Sequence, residues 1–131
     1  MISHDVLVLI GEDEPDNQVI LQTVVESLLG ARAEVAADGL TVLASVSRER
    51  PNVILLDLMM PGLDGFQVTR QLKANPETAS IPIVAISALA RPDDREAALA
   101  AGCDDFVRKP FELDDLEAII RTYLNVQNVS A

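Results

Sequence analysis

The sequence predicts an α/β fold, an open five-stranded parallel sheet with helices on both faces. Three observations carry that expectation. Runs of consecutive apolar residues recur at residues 6–10, 53–56 and 83–86, and their lack of alternation marks strands covered on both sides. Between them apolar residues repeat at intervals of three and four, the period of a helix facing a core. Turn residues separate the two kinds of segment, and such alternation closes into a sheet through right-handed crossovers.

In chain order, the first strand runs over residues 6–10 and passes through Gly11 into Glu12, Asp13 and Glu14. The first helix repeats Ile20, Val24 and Leu28, with Leu21 and Val25 alongside, and ends at Gly30. A strand at residues 33–36 carries Glu34, which suits a sheet edge, and the helix after it repeats Leu40, Leu43 and Val46. Pro51 and Asn52 open the third strand, which ends on Asp57. The run from Met60 to Phe66 holds Gly62 and Gly65; it is a turn that starts a helix near Asp64, with Val68 and Leu72 as its apolar face. Pro82 opens the fourth strand, which ends on Ser87 and Ala88, and an alanine-rich helix from about Pro92 closes at Gly102. The weaker pair Phe106 and Val107 forms the fifth strand, leading into Arg108, Lys109 and Pro110. The last helix presents Leu113, Leu116, Ile120, Tyr123 and Leu124 and is expected to end near Leu124. Residues 1–131 thus read as a single domain, with a core over 6–124 and a short polar tail at 125–131.

Composition agrees. Hydrophobic residues make up 49% of the chain and the mean hydropathy is +0.23, too apolar for disorder and enough for a core without disulfides or a structural metal. A folded chain of this mass exposes roughly 6,700 Å². Cys103 has no second cysteine to bridge and reads as a small packing residue, and His4 has no Cys or His companion for a metal. No apolar run reaches the ~18 residues of a membrane span, and the N-terminus lacks a signal-peptide pattern, so a cytoplasmic location is expected. Ten basic residues against 21 acidic give a net charge of −11, which disfavours direct nucleic-acid binding.

In an open α/β sheet ligands sit outside the carboxyl ends of the strands. Here those ends carry Glu12 and Asp13, then Asp57, Ser87 and Lys109. Three crowded carboxylates raise at least one pKa unless a cation neutralises them, and shallow oxygen ligands suit Mg²⁺. A hydroxyl and an ammonium facing the same point supply donors and positive charge for a phosphoryl group. Each residue alone has an ordinary reading, Glu12 to Glu14 as helix-start charge and Lys109 as surface; their convergence from four strand ends gives the functional one.

The acidic pair before Glu14-Pro15-Asp16-Asn17, the run from Leu56 to Gly62 around Asp57, Ser87-Ala88 and Lys109-Pro110-Phe111 resemble, in order, the four signatures of the receiver domain of bacterial response regulators. The resemblance covers residues 6–124. It implies a flavodoxin-like sheet of order 2-1-3-4-5, with Asp57 as phosphoacceptor and Mg²⁺, or Mn²⁺ in its place, held by Glu12, Asp13, Asp57 and the Met59 carbonyl. It further implies that Lys109 and Ser87 contact the phosphoryl oxygens with the backbone of Met59 and Ala88, that Ser87 and Phe106 form the switch, and that the Lys109-Pro110 bond is cis. Three departures stand out: Gly11 for a larger residue, expected to loosen packing behind the acidic pair; Ser87 for threonine; and Glu12 for aspartate.

The expected function is that of a two-component signalling switch rather than an enzyme. It would take its phosphoryl group from a histidine kinase or histidine phosphotransfer protein and act on a downstream protein, or on a second copy of itself, through the fourth helix, fifth strand and fifth helix. On that face Ile119 stands where relatives carry a basic residue, on the helix's exposed flank. A phosphohydrolase with an aspartyl-phosphate intermediate is the enzymatic rival, but it needs a carboxylate two residues after the nucleophile, where Met59 stands. A scaffold that works without phosphorylation is the third reading.

Overall fold

The computed structural model describes residues 5–89 and 91–129, with side chains to residue 124; His4 lies outside them. Five strands, β1 (Leu7–Gly11), β2 (Arg32–Ala36), β3 (Val53–Asp57), β4 (Ile83–Ser87) and β5 (Asp105–Arg108), alternate with five helices, α1 (Pro15–Thr23), α2 (Gly39–Arg48), α3 (Gly65–Ala74), α4 (Pro92–Ala101) and α5 (Leu113–Val129). The sheet is parallel throughout, in the order β2-β1-β3-β4-β5, so the Glu34 strand is indeed an edge. The accessible surface is 6752 Å², close to the expectation from mass.

Because strand side chains alternate between faces, the same apolar runs feed two cores. Val8, Ile10, Val53, Leu55, Val84 and Ile86 point toward α1 and α5. Leu9, Ile54, Leu56, Ile83, Ala85 and Phe106 point toward α2, α3 and α4.

The helix faces differ in part from the sequence reading. In α1 the buried positions are Leu21, Val24, Val25 and Leu29, whereas Ile20 and Leu28 are exposed. The helix widens into a π-turn over Val24–Leu28, where the Leu29 N–H donates to the Val24 carbonyl five residues back, and the wider turn shifts the buried stripe. In α2 the buried residues are Val42 and Val46; Leu40 is 69% exposed and Leu43 only packs against the core's edge. Leu113 is exposed at the start of α5. That helix runs on to Val129, so most of the segment expected as a tail is helical.

Local chemistry fixes the helix starts. Pro15 and Pro92 occupy first-turn positions, where a missing N–H costs nothing. Asp38 accepts from the Thr41 N–H at 2.8 Å. Asp64 and Gln67 form a reciprocal capping box, at 2.9 and 3.2 Å, at the expected start of α3. Gly102 ends α4 with φ +118°, a left-handed conformation that side chains resist.

Gly11 overturns one expectation. A Cβ there would lie 2.8 Å from Leu56 Cδ1 and 3.0 Å from Val42 Cγ2, so neighbouring side chains already fill the space and packing behind the acidic pair is tight. At the opposite end of the sheet, Lys73 Nζ donates to the carbonyls of Ala79 and Ile81 and to Asp104 Oδ2, at 3.1, 2.9 and 3.0 Å. Asp104 Oδ2 also accepts from the Ile83 N–H at 2.8 Å. Cys103 is buried beside Thr69, as its packing role predicts. No described helix is long and apolar enough to cross a membrane.

Candidate functional site

Strand register explains why four distant stretches of sequence meet. Gly11 pairs with Leu56 and Asp57 with Ile86, so Glu12 leaves β1 level with Asp57 at the end of β3. Ser87 pairs with Arg108, and the Lys109 N–H continues the ladder to the Ser87 carbonyl at 2.8 Å. The Lys109-Pro110 bond is cis, as expected.

Lys109 Nζ donates to Glu12 Oε1 and to Asp57 Oδ2, each at 2.8 Å. The other Asp57 oxygen accepts from the Met59 N–H at 2.9 Å. Glu12 is fully buried and its Oε2 has no hydrogen-bond partner among the described residues. Carboxylate oxygens of Glu12, Asp13 and Asp57 lie within 4.8 Å of one another. Ser87 is buried, and its Oγ accepts from the Leu89 N–H at 3.2 Å. Ala88, next to it, is exposed and Met59 is 58% exposed. The approach to Asp57 therefore carries small or displaceable groups.

Burial pushes the Glu12 carboxyl up to about 7, the hydrogen bond and charge of Asp57 add to the effect, and Lys109 opposes it. Burial pulls Lys109 down, but hydrogen bonds and charge from Asp57 and Glu12 together outweigh it and leave the ammonium above its ordinary value. The crowding expected from sequence thus falls mainly on Glu12. An unpartnered, buried carboxylate oxygen beside two further carboxylates fits a hard divalent cation, since oxygen donors of this kind are what Mg²⁺ takes.

Glu12, Asp13, Asp57 and Lys109 come together, and Ser87 ends the neighbouring strand. Phe106 sits apart, buried under α4, and lines a pocket with Arg91, Pro92, Arg95 and Arg108. Ile119 is half-buried against the core rather than fully on an exposed flank. Gln18 is the residue sequence reasoning missed: its Nε2 donates to the Glu12 carbonyl at 2.7 Å and holds the acidic loop from α1. No spacing signals that contact, because it depends on the angle at which α1 leaves the loop.

Comparison with known proteins follows this geometry. The family described as the response regulator receiver domain matches residues 8–121. A probable transcriptional regulator, ycf27, of Porphyridium aerugineum is 40% identical over 117 residues, which cover 89% of this chain and 47% of that protein. The chain thus spans about half the length of that curated relative. The receiver domain of a sensor histidine kinase from Pseudomonas aeruginosa PAO1, solved with magnesium in its active-site cleft, superposes with a TM-score of 0.83 at 36% identity, covering 91% of this chain and 97% of that one. The signal receiver domain of a DNA-binding response regulator from Colwellia psychrerythraea 34H superposes with a TM-score of 0.87 at 29% identity, covering 92% and 99%. A match over nearly the whole sheet, on a chain whose strand ends bring an acidic cluster, a serine and a lysine together, leaves one conclusion: this chain belongs to the response regulator receiver-domain family.

Proposed function

We propose that Asp57 accepts a phosphoryl group from the phosphohistidine of a sensor kinase or phosphotransfer protein in the cytoplasm. The 131 residues act as one receiver unit whose output is a change of shape read by another protein. The observation that carries this reading is the Asp57 carboxylate held at 2.8 Å by Lys109, beside Glu12 and Asp13 and under an open Ala88.

In the reaction an Asp57 oxygen attacks phosphorus in line; a P–O bond forms as the P–N bond to the donor imidazole breaks. Lys109 transfers its hydrogen bonds from the carboxylates to a phosphoryl oxygen. Ser87 Oγ already accepts from Leu89 and keeps its own proton to donate. The N–H groups of Met59 and Ala88 complete the cradle. Glu12, Asp13, Asp57 and the Met59 carbonyl are the residues that would hold Mg²⁺, or Mn²⁺ in its place, which supplies charge neutralisation as two anionic groups meet. Phosphorylation draws Ser87 toward the phosphate and lets Phe106, already buried, move into the space it leaves, shifting α4, β5 and α5 together.

Incubation with acetyl phosphate and Mg²⁺ followed by intact mass measurement tests this. One added phosphoryl group, absent in Asp57→Asn, is expected. Rapid release of phosphate with no phosphorylated protein accumulating would make the protein a phosphohydrolase, and a differently modified chain, or one that neither gains a phosphoryl group nor releases phosphate, would overturn the assignment.

A further inference from the structure

We propose that the groove between the start of α2 and the loop after β3 docks a partner-protein segment in which an arginine or lysine stands beside apolar side chains. The proposal goes beyond the switch reading above, since the groove shares no lining residue with the pocket bordered by Ala88 and Lys109. Only its coupling to the metal rests on that reading.

Leu40 repeats at helical spacing with Leu43 and Val46, yet it is 69% exposed and belongs to neither core. Instead it lines a cavity of about 580 Å³ together with Pro61, Gly62 and Leu63 from the loop after β3, a volume in the range of built ligand sites. Gly39 lets the two walls meet: a Cβ there would lie 2.1 Å from the Leu63 carbonyl oxygen, so α2 starts in contact with that loop. On the rim, Gly62 holds φ +75° and has nothing within 4 Å of where its Cβ would stand. The cavity is thus shaped on its inner side and open along its rim, which admits a stretch of chain.

Charge selects the occupant. Asp13 and Asp38 line the same cavity, and none of its lining residues is Lys, Arg or His. The Thr41 amide holds the Asp38 carboxyl below its ordinary value, so it is ionised at neutral pH. A basic side chain lays its apolar stem along Leu40 and Leu63 while its charged head reaches the carboxylates. Nucleic acid, an anionic lipid surface or an acidic peptide would meet those two carboxylates on a chain of net charge −11 and be repelled. Asp13 also belongs to the acidic cluster with Glu12 and Asp57. A divalent ion in that cluster takes up its charge and repels a second cation close by. By linkage the docked segment and Mg²⁺ weaken each other by the same factor, so the partner favours the metal-free protein.

The test is a selection of random 12-residue peptides displayed on phage, against the unphosphorylated protein in EDTA, with the selected peptides then synthesised and titrated. Expected are sequences with Arg or Lys beside Leu, Ile or Phe, and amide shifts at Ala37, Asp38, Leu40 and Leu63. Their affinity should fall at least tenfold in Asp38→Asn/Leu40→Gln. That variant should fold, because asparagine also caps a helix and Leu40 is exposed, and it should accept a phosphoryl group as the wild type does. Mg²⁺ in excess over EDTA should weaken wild-type binding several-fold. Selected peptides without basic residues, unchanged affinity in the variant, shifts confined to another face, or loss in the variant of a phosphorylation that the wild type shows would overturn the proposal. So would affinity unchanged or raised by Mg²⁺ while amide shifts at Glu12 and Asp57 show the ion bound. A wild-type dimer in sedimentation that the variant disperses would overturn it too, by making a second copy the occupant. Absence of those Mg²⁺ shifts counts against the metal reading alone, and the variant's affinity then decides docking.

Discussion

Glu12 is a carboxyl group that the metal-free fold holds protonated into the neutral range, and that has a measurable consequence for stability. Its pKa rises from 4.5 to about 7 on folding. A raised value means that the folded state binds the proton more tightly than the unfolded chain. The contribution is therefore fully present below pH 4.5 and is lost as pH rises through about 7. At ~1.4 kcal/mol per unit, the loss amounts to roughly 3 kcal/mol. Asp38 and Glu49, held low by Thr41 and by Arg32, lose their contributions only as pH falls below the ordinary carboxylate range. Lys109, held high, loses its contribution only in strong alkali. Urea unfolding in EDTA at half-unit steps from pH 4.5 to 8 should show wild-type stability falling by about that amount. Glu12→Gln keeps the shape and the acceptor for Lys109 but cannot titrate, so its curve should be flat by comparison. Mg²⁺ at pH 8 should restore much of the wild-type loss, since a cation then does what the proton did. Parallel pH curves for the two proteins would refute the reasoning, and so would a wild-type stability that rises across the window.

Gly11→Ala forces a Cβ to 2.8 Å from Leu56 Cδ1 and should lower stability by about 1–3 kcal/mol in urea melts; a neutral result would return the site to the looser packing the sequence suggested. Asp64→Ala removes the capping box that starts α3 and should cost about 1 kcal/mol, read in the same assay. Met59 and Leu89 stand two residues after Asp57 and Ser87 and carry apolar side chains that cannot orient a water by hydrogen bonding. Met59→Asn with Leu89→Glu should shorten the lifetime of the phosphorylated protein on the order of tenfold, measured by intact mass over time, and unchanged decay would count against shielding.

Strands were easy to read because a fully covered strand leaves an uninterrupted apolar run, and the site was legible because each strand ends on a residue chemically unlike the run before it. Helix faces were harder. Ile20, Leu28 and Leu40 repeat at helical spacing yet lie exposed, since a wide turn near Val24 and the docking angle of α2 select which of several apolar rows meets the sheet. The tightness around Gly11 was hidden because it depends on Val42 and Leu56, residues far away in sequence. The orphan oxygen of Glu12 was hidden for a similar reason: crowding predicts that some carboxylate suffers, and only geometry says which.

The bonds of Lys73 set the mechanics of the molecule. They clamp the end of α3 to the loops before β4 and β5, and Gly102, whose missing side chain leaves room for the Lys73 stem, ends α4 at that clamp. If the helix moves, these contacts make Gly102 its fulcrum and Arg91 its free end. Ten residues make an arm about 15 Å long, so a tilt of about 10° at the fulcrum carries the free end by roughly 2–3 Å. A shift at Ser87 would act on the free end, where the arm is longest and a given displacement needs the smallest tilt.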